Sequence, residues 1–247
     1  METDLSDAIY EERAVLFLDI LGFKVLIEGG HEQAIFNALG TTSTFANGKP
    51  SFPELTHTTA FSDSIVVSHR LKPAGVQNII NTASMLAWCF LQQGILTRGG
   101  IVHGNMHHTN DRLFGHAMNN AYQLESELAI FPRILVSEEL KILISAGNTD
   151  AANIGIGSCD PEILRQDFDG LWHIDILSHL VLSPFISIKN KEELFAIKVK
   201  TIQSALDNPS PPYGKNKCAK AKHDWLANYL QTSINNGPSQ NQKPIVC

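Results

Sequence analysis

The sequence lacks any uninterrupted apolar run of the roughly 18 or more residues that a bilayer-spanning helix needs. Its first residues, METDLSDAIYEER, are polar and have neither the basic nor the apolar region of a signal peptide. We therefore expect a cytoplasmic protein that does not work at a membrane.

Cysteine is also scarce. The four cysteines are far apart in the chain and show neither CxxC spacing nor a dense disulfide pattern: Cys89, Cys159, Cys218 and Cys247. We predict free thiols rather than a disulfide framework or a cysteine-based metal site.

Positive charge is in short supply, with 19 Lys and Arg residues against 25 Asp and Glu residues and a formal net charge of -6. Nucleic acids and anionic membranes are bound through clustered excess Lys and Arg, so neither is an expected partner. A triphosphate site in this chain would need a metal ion or a local cluster of positive charge.

What the sequence does contain is enough apolar residue, 43% of 247, to build a sizeable core. We expect a main domain with peripheral elaboration over residues 1–207. Residues 208–247 are then predicted to form a linker (DNPSPPYGKNK), a terminal amphipathic helix and a mobile tail.

The patterns along the chain predict strand, helix, hairpin, helix and strand, in that order. That order is typical of a ferredoxin-like α+β fold, in which helices pack on one face of an antiparallel sheet. The segments concerned are a strand over Arg13–Phe23, a helix over Glu32–Phe45, a hairpin around Phe61 to Asp63, a helix over Gly75–Gln93, and one or two strands in LTRGGIVHGNM.

Two aspartates are placed for metal chemistry. Asp19 ends an otherwise apolar strand and Asp63 lies at the tip of the hairpin, and central strands of such a sheet bring these two ends together. Two carboxylates so placed can share Mg²⁺ or Mn²⁺ with substrate phosphates. The alternative is that Asp63 is an ordinary turn residue.

The LGF that follows Asp19 provides a glycine at a strand-to-helix turn. Backbone amides at such a turn favour phosphate, so Leu21, Gly22 and Phe23 are candidate phosphate-binding residues. Ser62, beside Asp63, is predicted to hydrogen-bond the turn or a phosphate.

Three stretches, in this order, carry a family resemblance: AVLFLDILGF, FSDSIVVS and TRGGIVHGNMHHTNDRLFGHAMNNAYQLE. Together they resemble the class III nucleotidyl cyclases over about Ala14 to Ser137. The resemblance implies that the ribose 3′-hydroxyl attacks the α-phosphate and that pyrophosphate leaves. It also implies that Asp19, Asp63 and the Ile20 carbonyl hold two Mn²⁺ or Mg²⁺ ions per site, and that residues 1–207 form the cyclase catalytic domain.

The same resemblance makes Asn119 the residue that orients the ribose, contributed by the opposite subunit of a head-to-tail homodimer with composite active sites. The chain departs from the family at Gln123, where an arginine that stabilises the pentavalent phosphate is expected. Arg98 is one candidate for the missing charge or, alternatively, the partner of a carboxylate at a strand end. Arg112 and Arg133 are further candidates.

The base-reading positions depart as well. Thr59 replaces the family lysine four residues before Asp63, and Arg112 replaces an acidic residue seven before Asn119. With RGGI, NAYQLE and FPRI, these departures resemble the pyrimidine cyclases of the bacterial Pycsar antiphage defence. Such enzymes make cyclic UMP or cyclic CMP, which activates a separate effector protein.

An arginine near uracil O4 favours UTP, although the same side chain could meet O2 or N3 of cytosine. A cytidylate cyclase, a purine cyclase and a non-catalytic nucleotide-binding cyclase-homology domain remain open alternatives. The histidines at 103, 107, 108 and 116 are predicted to be hairpin or loop residues rather than zinc ligands. Tyr122 and Glu125 either shape the site or belong to an interface.

Overall fold

The computed structural model describes residues 9–47, 56–71, 75–145, 159–181, 190–209 and 216–237. The central part of the sheet consists of β1 (Glu11–Ile20), β2 (Thr56–Phe61), β3 (Ser64–Arg70) and β4 (Thr97–His108) in the order β2-β3-β1-β4. All three neighbouring pairs are antiparallel. This is the ferredoxin-like strand order, and the predicted α+β fold is confirmed.

The larger core lies on one face of this sheet, beneath helices α2 (Glu32–Asn47) and α3 (Gly75–Gln92). Alternate residues of β1, namely Leu16, Leu18 and Ile20, point into it because successive side chains of a strand point to opposite faces. Helix α3 contributes a nearly continuous buried stripe that includes Ile79, Ile80, Ala83 and Phe90. A short helix, α1 (Phe23–Glu28), connects β1 to α2.

The opposite face is covered by helix α4 (His116–Gln123) and by the π-helical turn Leu124–Leu128 that continues it. Ala117 and Ala121 pack there on the remaining side chains of the sheet, such as Val15 and Phe17. Gly100 makes this approach possible, because a Cβ there would lie 2.8 Å from the Ala121 carbonyl oxygen. The close approach of α4 to β4 therefore explains why the second residue of the pair in RGGI is a glycine.

Beyond β4 the sheet continues through short strands. β5 (Leu113–Gly115) pairs with the end of β4, while β6 (Ile134–Val136), β8 (Trp172–Ile174) and β7 (Leu164–Gln166) extend the other edge. β6 runs parallel to β4, unlike the antiparallel strands of the centre, because the chain returns to the sheet through the α4 crossover. Helix α5 (Glu138–Ser145) follows β6.

Two long helices close the described chain: α6 (Lys191–Asp207) and α7 (Lys217–Asn236). Each begins at an asparagine whose side chain accepts hydrogen bonds from first-turn amides, Asn190 for α6 and Asn216 for α7. The segments 182–189 and 210–215 and the predicted tail after residue 237 lie outside the described residues.

Helix α7 is fixed to the sheet by aromatic side chains. Trp225 Nε1 donates a 2.8 Å hydrogen bond to Asp167, and the Trp225 ring stacks on Tyr229 at 5.4 Å. Both rings share a cavity wall with Leu96 and Thr97, at the point where β4 begins. The helix therefore packs beside the first residues of β4.

Within the described segments, none of the helices is long and apolar enough to cross a membrane. Cys89 and Cys159 are buried free thiols and Cys218 is an exposed one, as predicted; Cys247 lies outside the described residues.

Candidate active site

The two predicted metal ligands lie at the same end of the sheet. Asp19 is opposite Ser64 of β3, and the Ile20 N–H donates a 2.9 Å hydrogen bond to the Asp63 carbonyl. Both aspartates are partly buried. The turn that presents Asp63 is thus hydrogen-bonded to the end of the strand that presents Asp19.

The hairpin turn is strained at Ser62, whose φ of 53° lies in the left-handed region. For a residue with a Cβ this costs about 1–2 kcal/mol. Such strain is found at turns whose surroundings hold them in place, and here the hydrogen bond from Ile20 does so.

The glycine turn after β1 differs in part from the prediction. Gly22 has a φ of 75° and begins α1, as the LGF sequence suggested. However, the Leu21 N–H donates to the Leu96 carbonyl at 2.9 Å, so the predicted phosphate contact through the Leu21 amide is wrong. The amides of Gly22 and Phe23 remain candidates. Helix α1 has six residues, too few for its dipole to replace side-chain or metal charge.

Arg98 lies on the other side of Asp19, directly opposite it in the β1–β4 pairing. Its Nε donates a 3.2 Å hydrogen bond to Asp19 Oδ2, and one terminal nitrogen donates to the Ala129 carbonyl at 3.3 Å. Its Nε also lies 2.7 Å from Glu125 Oε1. The structure therefore shows the carboxylate-pairing role that the sequence left open for Arg98.

Glu125 belongs to the site although the sequence singled it out only as a shaping or interface residue. It lies in the π-helical turn after α4, is 2% exposed, and faces Arg98. Burial raises the pKa of Glu125 to about 7; Arg98 opposes the increase, whereas Asp19 and Asp63 add to it. Three carboxyl groups thus share one end of the sheet.

These residues suit a hard divalent cation. Burial raises the pKa of Asp19, Arg98 lowers it, and the charge of Asp63 raises it again. A divalent cation between the two aspartates would relieve this repulsion, and carboxylate oxygens are the ligands that Mg²⁺ and Mn²⁺ prefer. Among the described residues no three His, Cys, Asp or Glu side chains form a metal cage.

A polar chain of side chains crosses the same face of the sheet and ends at Thr59. The Arg13 Nε donates to Ser68 Oγ at 2.8 Å, Ser68 Oγ lies 2.8 Å from His108 Nδ1, and His108 Nε2 lies 3.0 Å from Thr59 Oγ1. Burial lowers the pKa of His108 to about 3, so its imidazole is neutral. His108 therefore fixes the Thr59 hydroxyl.

Arg112 lies in the loop that follows β4. It is exposed, its side chain pairs with Asp111 at 3.5 Å, and its carbonyl accepts a hydrogen bond from the Thr109 N–H. The loop therefore starts next to His108, the partner of Thr59. The two predicted base-reading residues lie on neighbouring segments.

Asn119 and Gln123 are exposed on the outer side of α4, away from Ala117 and Ala121, which pack on the sheet. Tyr122 contacts Phe17 edge-on at 5.3 Å. Asn119 is thus exposed on the side of α4 that does not pack on the sheet.

Arg133 can be removed from the candidates for phosphate binding. Its guanidinium is buried, forms ion pairs with Asp167 and Asp169, and lies over the rings of Phe131 and Trp225. A buried arginine with two carboxylate partners has a structural role here.

Two further residues could have been singled out from patterns already present in the sequence. Lys222 occupies the apolar stripe of α7, three residues before Trp225, and is half-buried. His108 is the last residue of β4, the longest described strand, and the alternation of side chains along that strand predicts that it points to a buried face of the sheet. The sequence leaves the role of Glu125 open, because its contact with Arg98 depends on the π-helical turn.

Comparison with known proteins gives no match to a protein-family model. It gives no match among curated proteins either. Among solved structures, the guanylyl cyclase domain of the RhoGC fusion protein from the aquatic fungus Blastocladiella emersonii is 15% identical, with a TM-score of 0.44, covering 67% of this chain and 95% of that one. The adenylyl cyclase CyaB from P. aeruginosa is 22% identical, with a TM-score of 0.40, covering 56% and 82%.

A bacterial light-regulated adenylyl cyclase is 13% identical, with a TM-score of 0.43, covering 79% of this chain and 98% of that one. At identities and TM-scores this low, the similarity says nothing about what this chain binds or does. These three solved structures are adenylyl or guanylyl cyclases.

Proposed function

We propose that this chain is a nucleotidyl cyclase that converts UTP to 3′,5′-cyclic UMP and pyrophosphate. The observation that carries the proposal is the pairing of Asp19 and Asp63 at adjacent ends of the central strands, with the Ile20 N–H bonded to the Asp63 carbonyl. Two partly buried carboxylates in this position have a clear use in binding a metal–triphosphate complex.

In this reaction the ribose 3′-oxygen forms a bond to the α-phosphorus, the bond from that phosphorus to the bridging oxygen breaks, and pyrophosphate leaves with the electron pair. The 3′-hydroxyl proton passes to water. Asp19, Asp63 and the Ile20 carbonyl would hold Mn²⁺ or Mg²⁺, two ions per site, which lower the hydroxyl pKa and neutralise charge on the leaving group. Arg98 keeps the Asp19 and Glu125 carboxylates in place.

Base selection is assigned to Thr59 and Arg112. The His108 contact holds the Thr59 hydroxyl in one position, and the loop carrying Arg112 begins beside it. A hydroxyl and a guanidinium match the carbonyl-rich edge of uracil, which supports UTP. CTP, giving cyclic CMP, is the alternative that the same two side chains could serve.

The exposed position of Asn119 supports a homodimer in which each chain completes the other's site. The product would then act as a second messenger for a separate effector in bacterial antiviral defence, as the resemblance to the Pycsar cyclases suggests. A protein of this kind works in the cytoplasm.

The test is to incubate the purified chain with Mn²⁺ and ATP, GTP, CTP or UTP separately, and to identify the products by mass spectrometry. Cyclic UMP is expected, and cyclic CMP would support the alternative. A purine product would overturn the assignment of Thr59 and Arg112 as pyrimidine-reading residues.

Gln123, where the family has an arginine, favours a second candidate: a nucleotide-binding domain that dimerises without catalysis. Nucleotide binding by the purified chain, with no cyclic product from any of the four triphosphates, would establish this candidate in place of the first.

A further inference from the structure

The candidate site has more carboxylates than cationic side chains, and the nearby arginines Arg98 and Arg133 are already paired with carboxylates. Arg98 is bonded to Asp19 and lies against Glu125, while the Arg133 guanidinium is buried among carboxylates and rings elsewhere. Position 123 carries a glutamine, which has no charge. Apart from the proposed metal ions, further positive charge for a triphosphate would have to come from another part of the chain.

Helix α7 brings a lysine to this region. Lys222 lies three residues before Trp225 and four before Leu226, so it is on the same side of the helix as these buried residues. Trp225 and Leu226 share a cavity wall with Leu96 and Thr97. Because Thr97 directly precedes Arg98, the turn of α7 that carries Trp225 lies beside the start of the strand that carries the site arginine.

The charges that act on Lys222 support the placement given by the packing of α7. Burial lowers the pKa of Lys222 and Arg98 lowers it further, whereas Asp19 and Glu125 raise it. The lysine is therefore close enough to all three groups to interact with their charges. Even so, within the described part of the chain its ammonium forms no ion pair of 4.0 Å or less, whereas Lys220 pairs with Asp224 at 2.6 Å.

We propose that Lys222 binds phosphate oxygens of the substrate's triphosphate and supplies, from the C-terminal helix, the positive charge that position 123 lacks. This proposal rests on the proposed function. A lysine ammonium has three donors on a flexible stem, so it can reach an anion while its methylenes stay against the apolar stripe of α7. A cation there would stabilise the charge that develops on the leaving pyrophosphate.

The test measures binding of inorganic pyrophosphate to the full chain by calorimetry, with and without Mn²⁺. Lys222→Met keeps the length and apolar stem of the side chain and removes the charge. We expect it to weaken pyrophosphate binding by about 10- to 100-fold, the usual loss for a charged hydrogen bond. Lys222→Arg should restore binding to within a few-fold of the original chain.

Lys220→Met is the matched control, because it makes the same change two residues earlier on an exposed side of the helix. Pyrophosphate binding by this variant should equal that of the unchanged chain. Thermal unfolding of each variant verifies that α7 remains packed, which separates a lost contact from a lost helix.

The outcomes distinguish this inference from the proposed function. Equal pyrophosphate binding by the unchanged chain and Lys222→Met would overturn the role of Lys222 and leave the cyclase proposal standing. Binding that depends on Lys222 without any cyclic product would support the role of Lys222 and overturn the cyclase activity. An unchanged chain that binds neither pyrophosphate nor any nucleoside triphosphate would overturn both.

Discussion

A methyl group added at Gly100 tests the packing that places α4 over the sheet. In Gly100→Ala the new Cβ would lie 2.8 Å from the Ala121 carbonyl oxygen and 2.9 Å from Leu124 Cβ. Carbon atoms in contact lie about 3.5–4.0 Å apart, so α4 and β4 must separate by several tenths of an ångström. Overpacking of this kind costs about 1–3 kcal/mol.

For a chain of this size, that cost lowers the melting temperature by about 3–10 °C. The measurement is thermal unfolding followed by circular dichroism. Gly40→Ala, in helix α2, is the control, because a Cβ there meets no atom of the described residues within 4 Å and alanine favours helix by about 1 kcal/mol over glycine. The control should melt at or above the temperature of the unchanged chain.

Gly100→Ala should also reduce cyclase activity more than its loss of stability explains, because α4 carries Asn119 and leads into Glu125. A Gly100→Ala variant that melts with the unchanged chain would refute the close approach of α4 to β4. The steric explanation of the second glycine of RGGI would then be wrong.

Three further predictions concern the site and the core. Asp63→Asn should lower Mn²⁺-dependent cyclic nucleotide formation by at least about 100-fold, because it removes one of the two metal carboxylates, and should change the melting temperature little. Asp207→Asn, at the exposed end of α6, is the control and should keep full activity. Asn119→Ala mixed with Asp63→Asn should be more active than either variant alone, since a mixed dimer regains one intact site; a mixture no better than its parts would contradict the composite site. Burial lowers the pKa of His173 from 6.5 to about 4. As the pH falls below 6.5 the unfolded chain therefore binds a proton at this histidine before the folded chain does, and the fold loses about 3 kcal/mol of stability by about pH 4. Urea unfolding at pH 7.5 and 5 should show a smaller loss of stability for His173→Gln.

The sequence was sufficient to predict the juxtaposition of strand ends. Asp19 closes an apolar run and Asp63 lies between two strand-like runs, so a ferredoxin-like order requires the two ends to lie together. The turn at Gly22 could also be predicted, because a glycine follows the apolar run directly. These features depend on local patterns and one topological rule.

Other parts of the site depend on long-range packing and could not be predicted. The Leu21 amide is used by Leu96, a residue whose position is set by where α3 ends and β4 begins. Glu125 reaches Arg98 only because the helix widens into a π-helical turn after Gln123.

Arg133 makes a mechanical link between distant parts of the chain. Its carbonyl accepts a hydrogen bond from the Gly99 N–H, next to Arg98, while its side chain holds Asp167 and lies over the ring of Trp225. The same buried residue is thus bonded to β4 through its backbone and contacts α7 through its side chain. We predict that a protein or ligand docked on the outer side of α7 would shift the strand that carries Arg98, because Arg133 contacts both elements.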